Sequence, residues 1–323
     1  MIPTAILHAT RMGFGLPRGT VRLLSTRFGK VCLAHHTRDG TRTQLRLVLQ
    51  RAETAERLRT EMAWLTYLSV ECNLAVPRPM RWRTGGFVSP TLTARDGSAW
   101  RAVACRWIPG RHLNTGLDAR EMRRAGALLA ALHNASDGAP PDIVESRPVW
   151  WIPRLFELAT TLRDVIHGAV APPISLSPSI ADALRESRSA LDRAYAALPH
   201  GGAHDGVIHA DAHWQNLRFT QRHVGLVDFE DFARGRFMLD VACVWNRFEA
   251  RRDGAALLHA LLEGYDRTRS LPDGSMRDLH VMLAFRRFDY AGWVLSWPRL
   301  DLQPWGPSFL AGTPAYIARH LSA

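Results

Sequence analysis

The 323-residue sequence predicts an α+β fold in two lobes: a small β-rich one over residues 1–107, and a larger, mainly helical one over residues 108–323. Three observations carry this expectation. Short runs between residues 20 and 50 alternate apolar and polar positions, the period of a strand; from residue 53 the period becomes helical; and beyond residue 110 the patterned sequence is helical except at 206–231. The chain is also longer than the roughly 250 to 300 residues that one core usually serves.

In chain order, "TVRLLS", "KVCLAHH" and "QLRLVLQ" read as strands of a meander, separated by "RFG" and by "TRDGTR", whose Asp-Gly pair signals a hairpin. Leu58, Met62, Leu65 and Ser69 then keep to one helical face over residues 53–70, and Pro77 and Pro79 are expected to end the segment. "WRAVACRWI" at 100–108 reads as a strand closed by Pro-Gly, and "REMRRAGALLAALHNAS" as an amphipathic helix. "VAPPISLSPS" at 170–179 is a Pro/Ser-rich loop, and no internal repeat is visible.

Composition excludes several classes. No stretch approaches the roughly 20 apolar residues of a membrane span, and the first thirty residues have no leader pattern, so a soluble cytoplasmic protein is expected. The four cysteines lie far apart with no CxxC pair, which fits reduced thiols near the core better than a disulfide framework or a zinc finger. The net charge of +11 is nearly all arginine spread along the chain, with no basic block interleaved with aromatics, so no nucleic-acid partner is expected.

Two regions concentrate chemistry. Glu61 falls three residues after Leu58 and four before Leu65, on or beside the buried stripe, where a carboxylate needs a cation. Arg46 is the candidate, because strand alternation turns it away from Leu45 and Leu47; the plain alternative is a surface arginine and a boundary glutamate. The second region is "HADAHWQNLRF" at 209–219 with "LVDFED" at 226–231. Short β-rich segments there frame a loop that presents Asp211, Asn216 and Asp228, whose oxygens are hard ligands suited to Mg²⁺. The rival is a zinc or iron cage on His204, His209, Asp211 and His213. Alternation would put His209, Asp211 and His213 on one face, but Val207, Ile208 and Trp214 aim His209 into a core, which favours a hydrogen-bonded structural histidine.

"HADAHWQN" fits H-x-D-x-x-x-x-N, with Asp228 twelve residues beyond its asparagine, and "LRL", "RTEMAWL", "VPRPM", "CRWIPGRHL", "AGALLAALHNAS" and "MLDVACVW" stand around it in order. Over roughly residues 15 to 270 the chain resembles the aminoglycoside phosphotransferase and choline or homoserine kinase superfamily, relatives of protein kinases. The resemblance implies a bilobal protein-kinase-like fold and a Mg²⁺-dependent phosphotransferase that moves the γ-phosphate of ATP or GTP to a hydroxyl of a small molecule. Carried over, it makes Asp211 the group that accepts or orients the hydroxyl proton, and Asn216 and Asp228 the Mg²⁺ ligands. Arg46, held by Glu61, contacts the α/β-phosphates; the backbone from Arg106 to Ile108 meets the adenine; His209 and Asp240 are structural supports.

The chain departs from the family pattern in three places. "AHWQ" precedes the asparagine, so Trp214 reshapes access beside the metal; the phosphate contact is Arg rather than Lys; and the phosphate-covering loop "STRFGK" has a single glycine, leaving Lys30 either a phosphate contact or a solvated surface lysine. A protein Ser/Thr kinase of the bacterial stress-response type, a catalytically silent kinase-like binding module and a His/Asp metallohydrolase remain alternatives. After residue 240, arginines and aromatics outnumber carboxylates; Trp293 and Trp297, spaced i and i+4, line either core or pocket. A polycationic acceptor would need acidic partners, so a neutral, zwitterionic or anionic acceptor is expected.

Overall fold

The computed structural model describes residues 3–27, 29–50, 54–113, 117–147, 149, 177–296 and 305–323. Trp297 and most of the "VAPPISLSPS" loop lie outside the described residues. Two compact units make up the chain, and each is discontinuous: Met1–Leu113 with Ala139–Ser146 and Gln215–Glu230, and Asn114–Gly138 with Arg147–Trp214 and Asp231–Ala323.

The first unit is built on an antiparallel sheet of order β1-β2-β3-β5-β4, formed by β1 (Gly19–Arg27), β2 (Lys30–Thr37), β3 (Arg42–Leu49), β4 (Leu92–Thr93) and β5 (Ala99–Arg106). The Asp39-Gly40 turn joins β2 to β3, and Gly40 takes φ +84°, the left-handed conformation that glycine adopts without penalty. Leu45 and Leu47 pair with Ala104 and Ala102 and share one face with Leu33 and Trp100. That face packs with Ile6, Phe14 and Trp82 in one core, in which Phe14 meets the Trp82 ring edge-on at 4.8 Å. Helix α1 (Thr4–Gly13) sets Gly13 against the Trp82 ring, where a Cβ would stand 1.9 Å away.

Arg46, Val103 and Cys105 take the alternate positions, and α2 (Thr54–Thr66) serves this second face with buried Leu58, Glu61, Met62 and Leu65. The helix continues as a π turn over Tyr67–Glu71 and ends before either proline. Asn73 at φ +52° stops it, and the Leu74 N–H turns back to the Leu68 carbonyl at 2.9 Å. Asparagine tolerates the left-handed cap, so the stop is local cap chemistry rather than Pro77 or Pro79.

The second unit contains α3 (Ala119–Asp137), α5 (Pro178–Ala196), α6 (Phe237–Trp245), α7 (Gly254–Asp266), α8 (Ser275–Ser296) and α9 (Gly306–Leu321). Short α4 (Pro141–Glu145) belongs to the first unit. Asp118 caps α3 by accepting the Arg120 and Glu121 N–H groups, and Ser177 caps α5 through the Ile180 N–H. Helices α3 and α7 cross closely because Gly264 lets them: a Cβ there would lie 2.0 Å from the Arg123 carbonyl oxygen. Helix α8 is buried on nearly every side, from Leu279 through Phe285 and Phe288 to Leu295.

Residues 205–236 form two ladders instead of one frame. Strand β6 (Asp205–Ile208) pairs with β9 (Ala233–Arg236) in the second unit, whereas β7 (Leu217–Phe219) and β8 (Val224–Leu226) make a hairpin in the first. Strand β9, "ARGR", lacks the apolar alternation by which sequence reveals a strand. Its Arg236 is fixed by a two-pronged pair with Asp278 at 2.7 and 2.6 Å, both side chains being buried. All four cysteines are free thiols, and no helix among the described residues is long and apolar enough to cross a membrane.

Candidate active site

In the second unit the site is built on the loop after β6. Asp240, in the first turn of α6, is wholly buried and accepts the N–H groups of His209 and Ala210, each at 2.8 Å. His133 Nε2 lies 3.1 Å from the same carboxylate, and His133 Nδ1 lies 2.8 Å from the Tyr265 hydroxyl. Burial lowers the His133 pKa although Asp240 opposes it, so a neutral ring donates from Nε2–H and accepts the tyrosine O–H at Nδ1. This anchor holds Ala210 at φ +66°, a left-handed conformation that costs a residue with a Cβ about 1 to 2 kcal/mol. His209 is fully buried, and its Nδ1 accepts the Asp211 N–H at 3.2 Å.

Asp211 emerges from this turn with its carboxylate a quarter exposed, ion-paired with Arg286 of α8, and with His213 Nε2 3.6 Å from its second oxygen. Burial works to raise its pKa, but Arg286, His213 and His209 together hold it below the usual carboxylate value. The group is therefore an anion that can accept or orient a proton.

The hairpin of the first unit gathers Asn216 and Asp228. Leu217 pairs with Leu226, and the Val227 N–H donates to the Asn216 carbonyl at 3.0 Å, so the two residues flank the same end of the ladder. Gly225 lets β8 close on Ala75 and Ile108, since a Cβ there would come within 2.7 Å of the Ile108 side chain. Asn216 is buried; Asp228 is exposed and sits at φ +71°, with buried Phe229 fixing the next position. One amide and one carboxylate fit a cation such as Mg²⁺, which keeps waters and takes phosphate oxygens as further ligands. The rival cage is not assembled: among the described residues no three His, Cys, Asp or Glu side chains are placed to hold a metal.

An open concavity of about 340 Å³ in the first unit is lined by Gln44, Arg46, Glu61, Cys105 and Asp228, with Met62 and Val103 among its apolar walls. Arg46 ion-pairs with Glu61, both buried, and its other terminal nitrogen lies 3.6 Å from Glu230. Lys30 ion-pairs with Glu230. Burial would raise the Glu230 pKa, yet Arg46 and Lys30 hold it down, and burial pushes the Cys105 thiol up to about 12, so it stays neutral. Arg106 and Ile108 lie at the end of β5, where the Arg106 N–H is taken by the Arg78 carbonyl at 2.8 Å.

Sequence reasoning missed Glu230 and Arg286. The first stood inside "VDFED" without an assigned partner; the second is one of two adjacent arginines whose different directions no local pattern reveals.

The Arg46 network yields an unequal expectation. Removing one member of a buried pair costs about 3 to 5 kcal/mol when a bare charge remains. Arg46→Met takes the guanidinium from both Glu61 and Glu230, leaving Glu230 its pair with Lys30, whereas Glu61→Gln leaves Arg46 its second carboxylate. Denaturant unfolding should show Arg46→Met as the more destabilising, with the double variant no worse than Arg46→Met alone. Purely additive losses would mean that the two residues are not coupled.

A family model described as the phosphotransferase enzyme family matches residues 33–275. A homoserine kinase of Phenylobacterium zucineum (strain HLK1) is 31% identical over 220 residues, covering 63% of this chain and 62% of that enzyme, less than two thirds of its length. Among solved structures, a microcompartment-associated aminopropanol kinase superposes with a TM-score of 0.80 at 21% identity, over 99% of this chain and 98% of that one. The amicoumacin kinase hAmiN, in complex with AMP-PNP, Ca²⁺ and Ami, gives 0.76 at 17% identity over 93% and 88%. The α+β kinase-like fold expected from the sequence is the fold these structures share.

Proposed function

The chain belongs to the phosphotransferase enzyme family, and from that premise we propose that it transfers the γ-phosphate of ATP or GTP to a hydroxyl of a small molecule. The observation that carries the reading is Asp211, an ionised and partly exposed carboxylate on a loop anchored by Asp240, five residues before Asn216 in the chain. Phosphoryl transfer passes through a loose transition state that demands alignment more than proton removal, so a carboxylate of low pKa suffices to orient the acceptor hydroxyl. Arg46, braced by Glu61, offsets phosphate charge, with Lys30 beside it and the backbone from Arg106 to Ile108 against the base. Asn216 and Asp228 hold Mg²⁺, which when bound supplies further neutralisation of the phosphate oxygens. Residues 1–107 act as the nucleotide lobe and 108–323 as the catalytic and acceptor lobe. A nucleotide co-substrate fits a cytoplasmic protein.

The acceptor is neutral, zwitterionic or anionic. Arg286, a buried cation against Asp211, disfavours a polyammonium compound at that end, and the name of the homoserine kinase supports a small zwitterionic hydroxy amino acid. The test is a thermal-shift titration with ATP and GTP, with and without Mg²⁺, followed by phosphate transfer to L-homoserine, aminopropanol and kanamycin. A Mg²⁺-dependent rise in melting temperature and transfer to L-homoserine, the zwitterion among the three, are expected. No nucleotide-dependent shift would sink the kinase reading, and kanamycin turnover at micromolar KM would overturn the acceptor class.

A further inference from the structure

Arg286 stands outside every motif of the sequence, in the middle of α8. Its residue is 7% exposed, yet its Nη2 ends on the partly exposed carboxylate of Asp211. On the other prong, Nη1 lies 3.4 Å from Asp289, which is also buried and one helical turn along. The guanidinium sits 5.7 Å from the centre of the Tyr290 ring, and its Nε is buried without a hydrogen-bond partner. A cation that leaves one donor unsatisfied while serving a carboxylate open to solvent is oriented toward that carboxylate rather than toward packing.

We propose that Arg286 is a positioning residue for Asp211: braced by Asp289, it fixes one carboxylate oxygen of Asp211 and so sets the angle at which the carboxylate meets the acceptor hydroxyl. The inference rests on Asp211 as the proton-accepting or orienting group. Geometry favours it, because Asp211 is fixed from two independent elements. Its backbone N–H is held by His209 on the loop, and its Oδ1 by the rigid, buried α8. A carboxylate with a single anchor keeps rotational freedom about its side chain, and small misplacements of a catalytic group are costly. The charged or titratable groups around Asp211 are His209 and His213 on its own loop, Asp240 and Cys243 on α6, and Arg286 and Asp289 on α8. Of these, Arg286 is the strongest permanent cation.

The test uses the full chain with Arg286→Gln, Arg286→Lys and Asp211→Asn. With MgATP and L-homoserine, Arg286→Gln is expected to lower kcat on the order of a hundredfold while the KM for ATP changes by less than about twofold, and Arg286→Lys to recover part of the loss. Independently of any acceptor, the Asp211 side-chain carboxyl carbon, followed by NMR and assigned by its loss in Asp211→Asn, should titrate at higher pH in Arg286→Gln. An unmoved titration overturns the proposal whatever the activity does. Wild-type kcat in Arg286→Gln, with Asp211→Asn inactive, also overturns it; wild-type turnover by Asp211→Asn overturns instead the role of Asp211 on which it rests.

Discussion

Asp211→Asn is expected to abolish phosphoryl transfer and to leave nucleotide binding nearly intact. The amide keeps the size of the carboxylate and can still face Arg286, but it offers the acceptor hydroxyl no anionic oxygen. Loss of a positioned acid–base group costs on the order of a hundredfold in rate or more. Nucleotide affinity should change little, because Arg46 and Glu61 line a concavity that does not include Asp211. Isothermal titration with MgATP beside a transfer assay separates the two quantities, and turnover at the wild-type rate would remove Asp211 from the mechanism. Acid stability supplies a second check. With its pKa held below the unfolded value of about 3.9, Asp211 contributes stability that is complete above that value and is lost as the pH falls through the folded one. The Asn variant should lack this component, so the two proteins' stability profiles should run parallel above about pH 4 and draw together only below it, as the wild type loses the component.

Asp228→Asn should remove the Mg²⁺-dependent part of nucleotide stabilisation. Asn tolerates the left-handed backbone of this position as Asp does, so the substitution removes a charge without adding strain, which Ala would add. An oxygen-only site with one carboxylate and one amide loses its only charge in this way. At saturating ligand, on the order of a hundred times Kd, bound MgATP stabilises the folded state by about 2.7 kcal/mol, and most of the metal's share should vanish. Melting curves with ATP, with and without Mg²⁺, read the difference directly. A tightly held zinc, lost on substituting His209 and His213, would favour the metallohydrolase alternative instead.

The sequence determined much of this protein. Strand alternation set Arg46 opposite Leu45 and Leu47, and helical spacing put Glu61 beside the buried stripe of α2. Two opposite charges turned inward have to find each other, and they do. The order of motifs around H-x-D-x-x-x-x-N pointed to the family, because spacing along the chain is itself covalent information. Other features depended on contacts between distant segments. "ARGR" is a strand only because β6 lies beside it, and α2 ends at a left-handed Asn73 several residues ahead of the prolines that looked like its stop. Glu230 finds Lys30 across two hundred residues of chain. Arg286 and Arg287 are equivalent in a one-dimensional reading, yet about 100° of helical rotation separates them. One reaches Asp211 and the other lies over the Phe309 ring of α9. Local periodicity fixes which face a side chain leaves from; which partner waits on that face is decided by packing, where a buried charge must meet its opposite.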